Sequence, residues 1–375
     1  MVSPRFAYSN LKDKLIGRKL VPFPRFLVLH LTNSCNMSCA MCSIAEARRA
    51  HIEAGTRQMP INLISRLADE SFHHGGLVNL YGGEPLLYQD LDEALRIIGE
   101  HRLLSYLTTN GLLVDEKAES LVKRRLNILQ ISLDGWDEES QFKRGNVPGS
   151  FDAIASGIKH VLSLRGAGAF PIIRIATVVT RNNFHSLDKI QRLIHQWGVR
   201  EWVINNYQFV TDQAVERHES FKNKTGIGDF IAGDRTGNQG YLSSGEIAGL
   251  KESLARVWSD QARLGMRIYY NRSCDLDAYY SPAFPTSDSK CSLPFNRVDI
   301  HADGSIFLCM EGYKIGDLSQ ESLGQAWHSE RAEYFRKTYS TCGSFPMCFR
   351  CCGIYDTIDF AEAGSTVGGS AESKV

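Results

Sequence analysis

The strongest constraint on the fold of this chain is a regular alternation of short apolar segments with segments of helical periodicity. Six apolar or β-branched segments have the length and composition of β-strands: residues 28–31, 77–81, 104–107, 128–133, 172–179 and 202–207. Between them, apolar residues recur at the i, i+3 and i+4 positions that line one buried helix face. Strands that alternate with helices predict an α/β fold with a parallel sheet. The order alone does not distinguish a barrel from an open sheet.

The predicted strands are followed by polar or glycine-rich residues, among them Gly82, Gly83, Asn110, Gly111 and Asp134. In parallel α/β folds the carboxyl ends of the strands meet at one edge, and active sites lie at that edge. A functional site is therefore expected where these residues converge.

The composition narrows the classes of function. The chain has 375 residues, enough for two or three domains, and its 42 basic and 42 acidic side chains give a formal net charge of zero. This balance gives no general attraction to nucleic acid or anionic membranes. The sequence shows neither a signal peptide nor an apolar run approaching the roughly 20 residues of a membrane span, which predicts a cytoplasmic protein.

The ten cysteines are concentrated in two parts of the chain. Cys35, Cys39 and Cys42 form the first group, and seven cysteines lie from Cys274 to Cys352. In a reducing compartment such groups usually hold metal or carry redox chemistry, whereas disulfides are typical of secreted proteins. The distribution therefore predicts two separate cysteine-ligated sites.

The first group has the spacing C-x3-C-x2-C and directly follows the first predicted strand. Three thiolates on one loop can hold three corners of a cubane iron–sulfur cluster, which leaves one iron open to another ligand. A four-ligand structural zinc site would need a fourth ligand, and none lies nearby in the sequence.

This spacing in this position resembles the radical S-adenosylmethionine (SAM) enzymes. That family has an aromatic residue before the third cysteine, where this sequence has Met41, whose polarizable apolar side chain can fill the same space. Gly82, Gly83 and Glu84 begin a Gly-Gly-Glu-Pro sequence. In the family this motif binds the methionine amine of SAM: glycines permit close backbone approach, and Glu84 would accept from the ammonium group.

Further matches follow at the next strand ends. Asn110 lies in a Thr-Asn-Gly sequence, Ser132 and Asp134 match a Ser-x-Asp-Gly sequence, and Asn182 continues the pattern expected around the nucleoside. Arg144 precedes a glycine, as in a family pair whose arginine reaches the SAM carboxylate, a task suited to a bidentate guanidinium. The resemblance implies that these side chains bind SAM beside a catalytic 4Fe–4S cluster on the first cysteine group.

The second cysteine group surrounds a predicted hairpin. Cys291 and Cys309 flank its Asp-Gly turn, and Cys348 and Cys351 form a C-x2-C sequence. Together they would give a four-thiolate site, for which the spacing alone allows either zinc or an iron–sulfur cluster. The segment resembles the SPASM or twitch extension of radical SAM enzymes, which implies an auxiliary 4Fe–4S cluster on these four cysteines.

One auxiliary cluster is expected rather than two. A full SPASM domain holds a second auxiliary cluster, but here Tyr339 stands in place of one cysteine and no cysteine follows Cys352. Cys352 could replace Cys351 as the fourth ligand, and Cys342 could also serve. Cys274 is expected to be a plain thiol.

The resemblance implies a partial (β/α)6 TIM-like barrel with a small cysteine-rich α+β domain. We expect a basic helical segment at residues 1–22, the barrel at 23–210 and a connector or substrate-side insertion at 211–270. The auxiliary-cluster domain is expected at 271–360 and a disordered tail at 361–375.

The predicted function is that of a radical SAM oxidoreductase. The resemblance implies reductive cleavage of SAM to a 5′-deoxyadenosyl radical and abstraction of a substrate hydrogen. The auxiliary cluster would either accept an electron from the substrate radical or ligate or orient the substrate. Peptide-modifying members often carry a leader-recognition domain, and only a short segment precedes the first strand here. This favours a small carbohydrate-like or natural-product substrate in a biosynthetic reaction.

Two alternatives stay open. One is a maturase that modifies a ribosomal peptide or a protein, and the other, of a different class, is a non-catalytic zinc or iron–sulfur binding protein. The expected partners are the small-molecule or peptide substrate and a flavodoxin- or ferredoxin-type electron donor, with no nucleic acid.

Overall fold

The computed structural model describes residues 21–39, 41–42, 57–228, 241–272, 274–281, 291–309 and 312–351. Within these residues ten strands form one sheet in the order β10-β9-β8-β1-β2-β3-β4-β5-β6-β7. The strands are β1 (Phe26–Thr32), β2 (Leu77–Gly82), β3 (Leu104–Thr109), β4 (Ile128–Ser132), β5 (Ile172–Val179), β6 (Glu201–Asn206), β7 (Arg267–Tyr269), β8 (Arg297–His301), β9 (Ser305–Leu308) and β10 (Tyr313–Asp317).

Eleven α-helices lie between or after these strands in the described ranges. They are α1 (Ile61–Ser71), α2 (Leu91–Glu100), α3 (Val114–Lys123), α4 (Glu138–Gly145), α5 (Ser150–Arg165), α6 (Leu187–Gln196), α7 (Asp212–Thr225), α8 (Ser244–Leu264), α9 (Leu276–Tyr280), α10 (Leu323–Trp327) and α11 (Glu330–Cys342). None of the helices seen in the structure is long and apolar enough to cross a membrane.

The sheet is buried on both faces, as a parallel sheet requires. Every residue of β1 is buried: Leu27, Leu29 and Leu31 belong to the large core shared with the helices, whereas Phe26 and Val28 belong to a second, smaller apolar cluster. Since alternate residues of a strand point to opposite faces, the second cluster lies on the inner face of the sheet. The helices therefore cover the outer face of a curved sheet.

The predicted α/β fold with a parallel sheet is confirmed. Strands β1 to β6 pair in parallel and in sequence order, and the helices between them supply the crossovers. The predicted hairpin is present as β8 and β9, with Gly304 in its turn at a φ of 87°. The carboxyl ends of β1 to β6 thus meet at one edge.

Both edges of the six-stranded barrel sheet are extended by later strands. β7 pairs with β6, and β8 pairs in parallel with β1, with His30 opposite His301. The cysteine-rich segment therefore adds its hairpin to the barrel sheet instead of forming a sheet of its own. Sequence reasoning did not predict this pairing.

The helix α7 occupies part of the segment 211–270, which was predicted as a connector or substrate-side insertion. Thr211 caps this helix by accepting a hydrogen bond from the Ala214 amide, and Gly226 ends it in the left-handed region at a φ of 67°. The capping signals were present in the sequence, but the helix is polar around most of its surface and lacks the apolar periodicity that predicts helices. The predicted N-terminal helical segment up to residue 20 and the predicted tail lie outside the described residues.

Candidate functional site

The first cysteine group lies on an irregular loop that begins where β1 ends. Cys35, Cys39 and Cys42 are all half-buried. The end of β2 holds this loop: the Gly83 amide donates to the Thr32 carbonyl at 2.7 Å, and the Glu84 amide donates to the Ser34 carbonyl at 2.7 Å. The Gly-Gly-Glu sequence therefore fixes the backbone immediately before Cys35.

The two glycines are required by the chain's own backbone. Gly82 has a φ of 126°, and a Cβ atom there would lie 2.6 Å from the Thr32 oxygen; a Cβ on Gly83 would lie 2.1 Å from the Ser34 oxygen. Both separations are too short for a side chain. The lack of a side chain at both positions lets the cysteine loop pack directly against the end of β2.

Glu84 is 1% exposed and is bound by three protein donors. Its carboxylate accepts hydrogen bonds from the Leu86 amide at 3.1 Å, the Thr109 hydroxyl at 2.7 Å and the Asn110 amide at 2.8 Å. Burial raises the pKa of Glu84, and these three hydrogen bonds act in the opposite direction. The side chain thus ties the end of β2 to the turn that follows β3.

Asn110 extends from that turn to the cysteine loop. Its side-chain amide donates to the Asn36 side-chain oxygen at 2.7 Å, and the same nitrogen lies 3.8 Å from the Cys35 sulfur. Its oxygen accepts from the Leu112 amide at 3.0 Å. Asn110 therefore contacts the loop that carries the first cysteine group.

Asp134 and Arg144 form a buried ion pair beside the same loop. Burial by itself would lower the pKa of Arg144, but Asp134 and the nearby Cys39 and Cys42 outweigh it and raise the pKa. The Arg144 Nε is buried and has no hydrogen-bond acceptor among the described residues. An unused N–H donor thus lies within electrostatic range of two cysteines of the first group.

Neighbouring polar residues that sequence reasoning missed hold the Asp134 turn. The Gln141 side-chain oxygen accepts from the amides of Asp134 and Gly135 at 3.0 and 2.9 Å. Asn183 is buried, and its side-chain amide donates to the Asp134 carbonyl at 3.0 Å. The adjacent Asn182, which was the residue predicted to lie near the nucleoside, is exposed. No sequence pattern distinguishes the two asparagines.

Ser132, also predicted to face the site, is the last residue of β4 and is half-buried. It lies opposite Ala176 of β5 in the sheet, two residues before Asp134. The structure therefore places it at the same edge as the Asp134 turn.

The second cysteine group is enclosed by apolar and aromatic residues. Cys291 and Cys348 are 9% and 8% exposed, and burial raises the pKa of Cys348 to about 12. Burial also raises the pKa of Cys309, and the charges of Cys348 and Cys291 raise it further. Backbone amides donate to two of the sulfurs: Leu293 to Cys291 at 3.4 Å and Phe345 to Cys348 at 3.3 Å.

Tyr339, which stands in place of one cysteine of the full SPASM pattern, interacts with these three thiols. Its hydroxyl oxygen accepts from the Cys291 amide at 2.6 Å, and its ring centroid lies 5.5 Å from that of Phe345. An aromatic side chain therefore fills space next to the second group, and the spacing of the cysteines had not predicted this contact.

The remaining cysteines lie in different surroundings. Cys351 is half-buried and its amide donates to the Cys348 carbonyl at 3.0 Å, whereas Cys342 is exposed at the end of α11. Cys274 lies 3.7 Å from the Asn206 side-chain nitrogen, at the end of β6. Cys352 is outside the described residues.

The donor atoms of both groups suit an iron–sulfur cluster. No three His, Cys, Asp or Glu side chains in the described part of the chain converge closely enough to hold a single metal ion. Each group instead offers three thiols that interact electrostatically, and thiolates are the ligands that hold iron–sulfur clusters. The residues present at both sites therefore fit such a group.

Comparisons with protein families match two separate parts of the chain. Residues 29–194 match the radical SAM superfamily, and residues 291–352 match SPASM, an iron–sulfur cluster-binding domain. These matches confirm the resemblance drawn from the cysteine and Gly-Gly-Glu-Pro sequences.

Among curated proteins, the chain is similar to a probable GTP 3',8-cyclase of Methanocaldococcus jannaschii, with 33% identity over 156 residues, which is 41% of this chain and 49% of the relative. It is also 30% identical over 177 residues to the mycofactocin maturase MftC of Mycobacterium tuberculosis, covering 47% of this chain and 43% of the relative. The chain thus spans less than half the length of each of these relatives.

Among solved structures, the Streptococcus suis protein SuiB bound to S-adenosylmethionine has a TM-score of 0.63 and 18% identity, covering 92% of this chain and 77% of SuiB. SuiB has also been solved bound to its precursor peptide SuiA. At this identity the likeness shows a shared fold.

Proposed function

Because this chain carries a radical SAM domain followed by a SPASM iron–sulfur cluster-binding domain, we propose that it is a radical SAM oxidoreductase. Its reaction would begin with reductive cleavage of SAM, continue with hydrogen abstraction from the substrate and end with oxidation of the substrate radical. The proposed boundaries are a barrel at residues 23–210, a connector at 211–270 and a cluster domain at 271–360.

The buried, unpartnered Nε of Arg144 beside the first cysteine group is the observation that carries this proposal. A buried N–H donor without an acceptor is costly unless a ligand supplies one. The carboxylate of SAM is such an acceptor, and Asp134 keeps the guanidinium oriented for it. Asp134 would therefore position Arg144 instead of contacting SAM itself.

Cys35, Cys39 and Cys42 would hold the catalytic 4Fe–4S cluster. When bound, the cluster supplies through its open iron the electron that cleaves SAM to methionine and a 5′-deoxyadenosyl radical. The three thiols are half-buried and not fully enclosed by protein. Asn110, which contacts this loop, would fix Cys35 and border the same space.

Gly82, Gly83 and Glu84 would receive the methionine amine of SAM. A carboxylate has about four acceptor positions, and three protein donors already bind Glu84. One acceptor position is left for an ammonium group. Ser132, at the end of β4, would face the nucleoside.

Cys291, Cys309, Cys348 and Cys351 would hold one auxiliary 4Fe–4S cluster. The first three thiols are neighbours in a low-dielectric shell, and Cys351 lies on the same loop as Cys348. Tyr339 fills space beside them, which supports one cluster over two. The cluster would accept the electron released when the substrate radical is oxidised.

A small carbohydrate-like or natural-product molecule is the proposed substrate class. The end of β6 carries uncharged polar groups suited to such a molecule: the Tyr270 hydroxyl donates to the Asn206 side-chain oxygen at 3.4 Å. The second candidate is a ribosomal peptide, and the maturase name of one relative and the peptide-bound structure of SuiB favour it. The electron donor would be a flavodoxin or ferredoxin of the cytoplasm.

Anaerobic purification tests the proposal. The protein should be brown, contain about eight irons in two four-iron clusters and release 5′-deoxyadenosine from SAM in the presence of dithionite. Zinc without iron would overturn the proposal in favour of a non-catalytic binding protein. The neighbouring genes then supply the substrates to assay, since a short peptide gene or sugar-modifying genes separate the two candidate classes.

A further inference from the structure

The helix α4 ends against the cysteine loop at Gly145, its last residue, which is buried. A Cβ atom on Gly145 would lie 2.1 Å from the Met37 Cε atom and 3.4 Å from the Cys39 sulfur. The first separation is far below the distance at which two carbon atoms can pack, so a side chain at this position would displace its neighbour. The absence of a side chain therefore lets the end of α4 lie directly against the loop.

Met37, the second residue after Cys35, forms the other side of this contact. It is 4% exposed, yet it belongs to neither of the two apolar clusters formed by the described residues. A methionine side chain is flexible and fills irregular gaps between packed segments. Here its end occupies the space that a side chain at position 145 would take, and we call this packing the Met37–Gly145 contact.

The first turn of α4 is attached to the turn that follows β4. A Cβ atom on Gly135 would lie 2.2 Å from the Gln141 amide nitrogen, so the backbone of that turn lies directly against the helix. The Asp137 side chain caps α4 by accepting from the Ser140 amide at 2.8 Å. The helix is thus held at its start by the turn after β4 and at its end by the cysteine loop.

Arg144 immediately precedes Gly145, so the Met37–Gly145 contact also affects where Arg144 lies relative to Cys39. Burial raises the pKa of the Cys39 thiol, the charge of Arg144 lowers it, and the charge of Asp134 raises it. Interactions between charges weaken as their separation grows. A shift of α4 away from the loop would therefore weaken the action of Arg144 on Cys39.

We propose that Met37 and Gly145 are positioning residues that hold the cysteine loop and α4 as one unit, so that the first cluster and Arg144 bind SAM together. The proposal rests on the proposed function, because it requires the catalytic cluster on Cys39 and the SAM carboxylate on Arg144. Neither positioning residue would touch SAM. Their loss would instead separate two groups that must bind the same molecule.

The test measures SAM binding without turnover. The full chain is loaded with iron and sulfide under anaerobic conditions, left unreduced and dialysed against labelled SAM, and Tm is measured on the same samples. Gly145→Ala and Met37→Ala should each weaken SAM binding about 10- to 100-fold, the range typical of residues that hold metal ligands in place. Binding equal to that of the parent in Gly145→Ala would overturn the proposal.

The double variant tests the contact itself. In the Met37→Ala background the Cε atom that obstructs position 145 is absent, and the other neighbours of the new methyl group lie at 3.4 and 3.5 Å, an ordinary contact distance. Adding Gly145→Ala to Met37→Ala should therefore cause little further loss of SAM binding or Tm. Equal losses in both backgrounds, or failure to fold in both, would overturn the proposal, whereas a Gly145→Ala chain that folds only together with Met37→Ala supports it.

Met266→Ala is the control for the loss of a buried methionine. Met266 is 5% exposed and directly precedes β7, whose first residue pairs with Glu201, the first residue of β6. It therefore lies at the edge of the sheet opposite the carboxyl ends of the strands. Its replacement should lower Tm and leave SAM binding unchanged. A loss of SAM binding equal to that of Met37→Ala would show a general effect of stability and would overturn the proposal.

Gly245→Ala is the control for the added methyl group. Gly245 is the second residue of α8, and nothing lies within 4 Å of a Cβ atom there. This variant should bind SAM as the parent does, and weakened binding would overturn the steric explanation. A parent that binds no iron or no SAM overturns the proposed function itself, and this is seen before any variant is made.

Discussion

Cys39 and Cys348 belong to sites with the same kind of ligand, yet their surroundings are opposite. Cys39 lies on a half-buried loop within electrostatic range of the Arg144–Asp134 pair. Cys348 is 8% exposed, accepts a backbone N–H and lies next to Tyr339 and Phe345. The first site has half-buried thiols beside a charged pair, and two of the thiols at the second site are almost fully buried.

This difference matches the tasks proposed for the two sites. A cluster that must bind and cleave SAM needs access and charged partners, whereas a cluster that only exchanges electrons needs a fixed, dry environment. The predictions below test this contrast, beginning with the largest effect.

Replacing Cys35, Cys39 and Cys42 by Ala should abolish SAM cleavage and leave about four of about eight irons, since only the open site has an iron for SAM. Cys348→Ala should have the opposite effect, because the protein should lose the irons of the auxiliary cluster and still cleave SAM. The measurements are 5′-deoxyadenosine release and iron content, with the exposed Cys342→Ala as control. Cleavage that survives the triple replacement would contradict the contrast.

Alkylation of metal-free protein separates the sites by reactivity. Because the pKa of Cys348 is raised from 9.0 to about 12, its reactive thiolate is about a thousandfold scarcer at pH 8 than that of an ordinary thiol. Its iodoacetamide rate, measured by mass spectrometry, should rise about tenfold per pH unit up to about pH 12. Labelling of Cys348 at pH 8 as fast as that of exposed Cys342 would show that the second site is open.

Gly83→Ala should disturb the first site alone. The added methyl group would lie 2.1 Å from the Ser34 oxygen, so we expect a loss of about 2–3 kcal/mol in the free energy of unfolding and weaker SAM cleavage as Cys35 moves. Gly99→Ala in α2, where nothing lies within 4 Å of the new atom, is the control and should stabilise by up to about 1 kcal/mol. Equal thermal unfolding of the two variants would rule out the close approach as the constraint.

Of the four predictions, Glu84→Gln should cause the smallest change in stability and SAM cleavage. An amide cannot accept from all three donors that bind this buried carboxylate, and leaving one unsatisfied costs about 1–3 kcal/mol. SAM cleavage should fall in parallel with stability measured by urea unfolding. Glu93→Gln is the control, because its surface pair with Arg96 contributes little. If the Glu84→Gln variant keeps full stability and full SAM cleavage, the assignment of Glu84 to the site is wrong.

The sequence predicted the parts of the molecule that depend on local patterns. The β-branched segment at 172–179 became β5 with those bounds, and the Asp303-Gly304 turn gave the hairpin of β8 and β9. The cysteine spacing located both groups because the strand ends fix where loops converge. These signals act over a few residues, so they can be recognised without the fold.

Contacts between distant segments could not be predicted in this way. Nothing in β8 identifies β1 as its neighbour, and no periodicity selects Asn183 over Asn182 or places Tyr339 beside Cys291. The contacts of Arg350 could not be predicted either, since it donates to the Tyr279 and Ser281 carbonyls at the end of α9. Such contacts follow from the path of the backbone and not from residue type.

β1 pairs with β2 on one side and with β8 on the other, and this arrangement affects how the chain folds during synthesis. β1 leaves the ribosome long before β8, and the bonded residues His30 and Asp299 are 269 positions apart. Until β8 arrives, one edge of the nascent barrel presents unpaired N–H and C=O groups, which invite pairing with other chains. The cysteine-rich segment therefore covers the free edge of β1, and we expect a truncated product that ends before residue 297 to aggregate more readily.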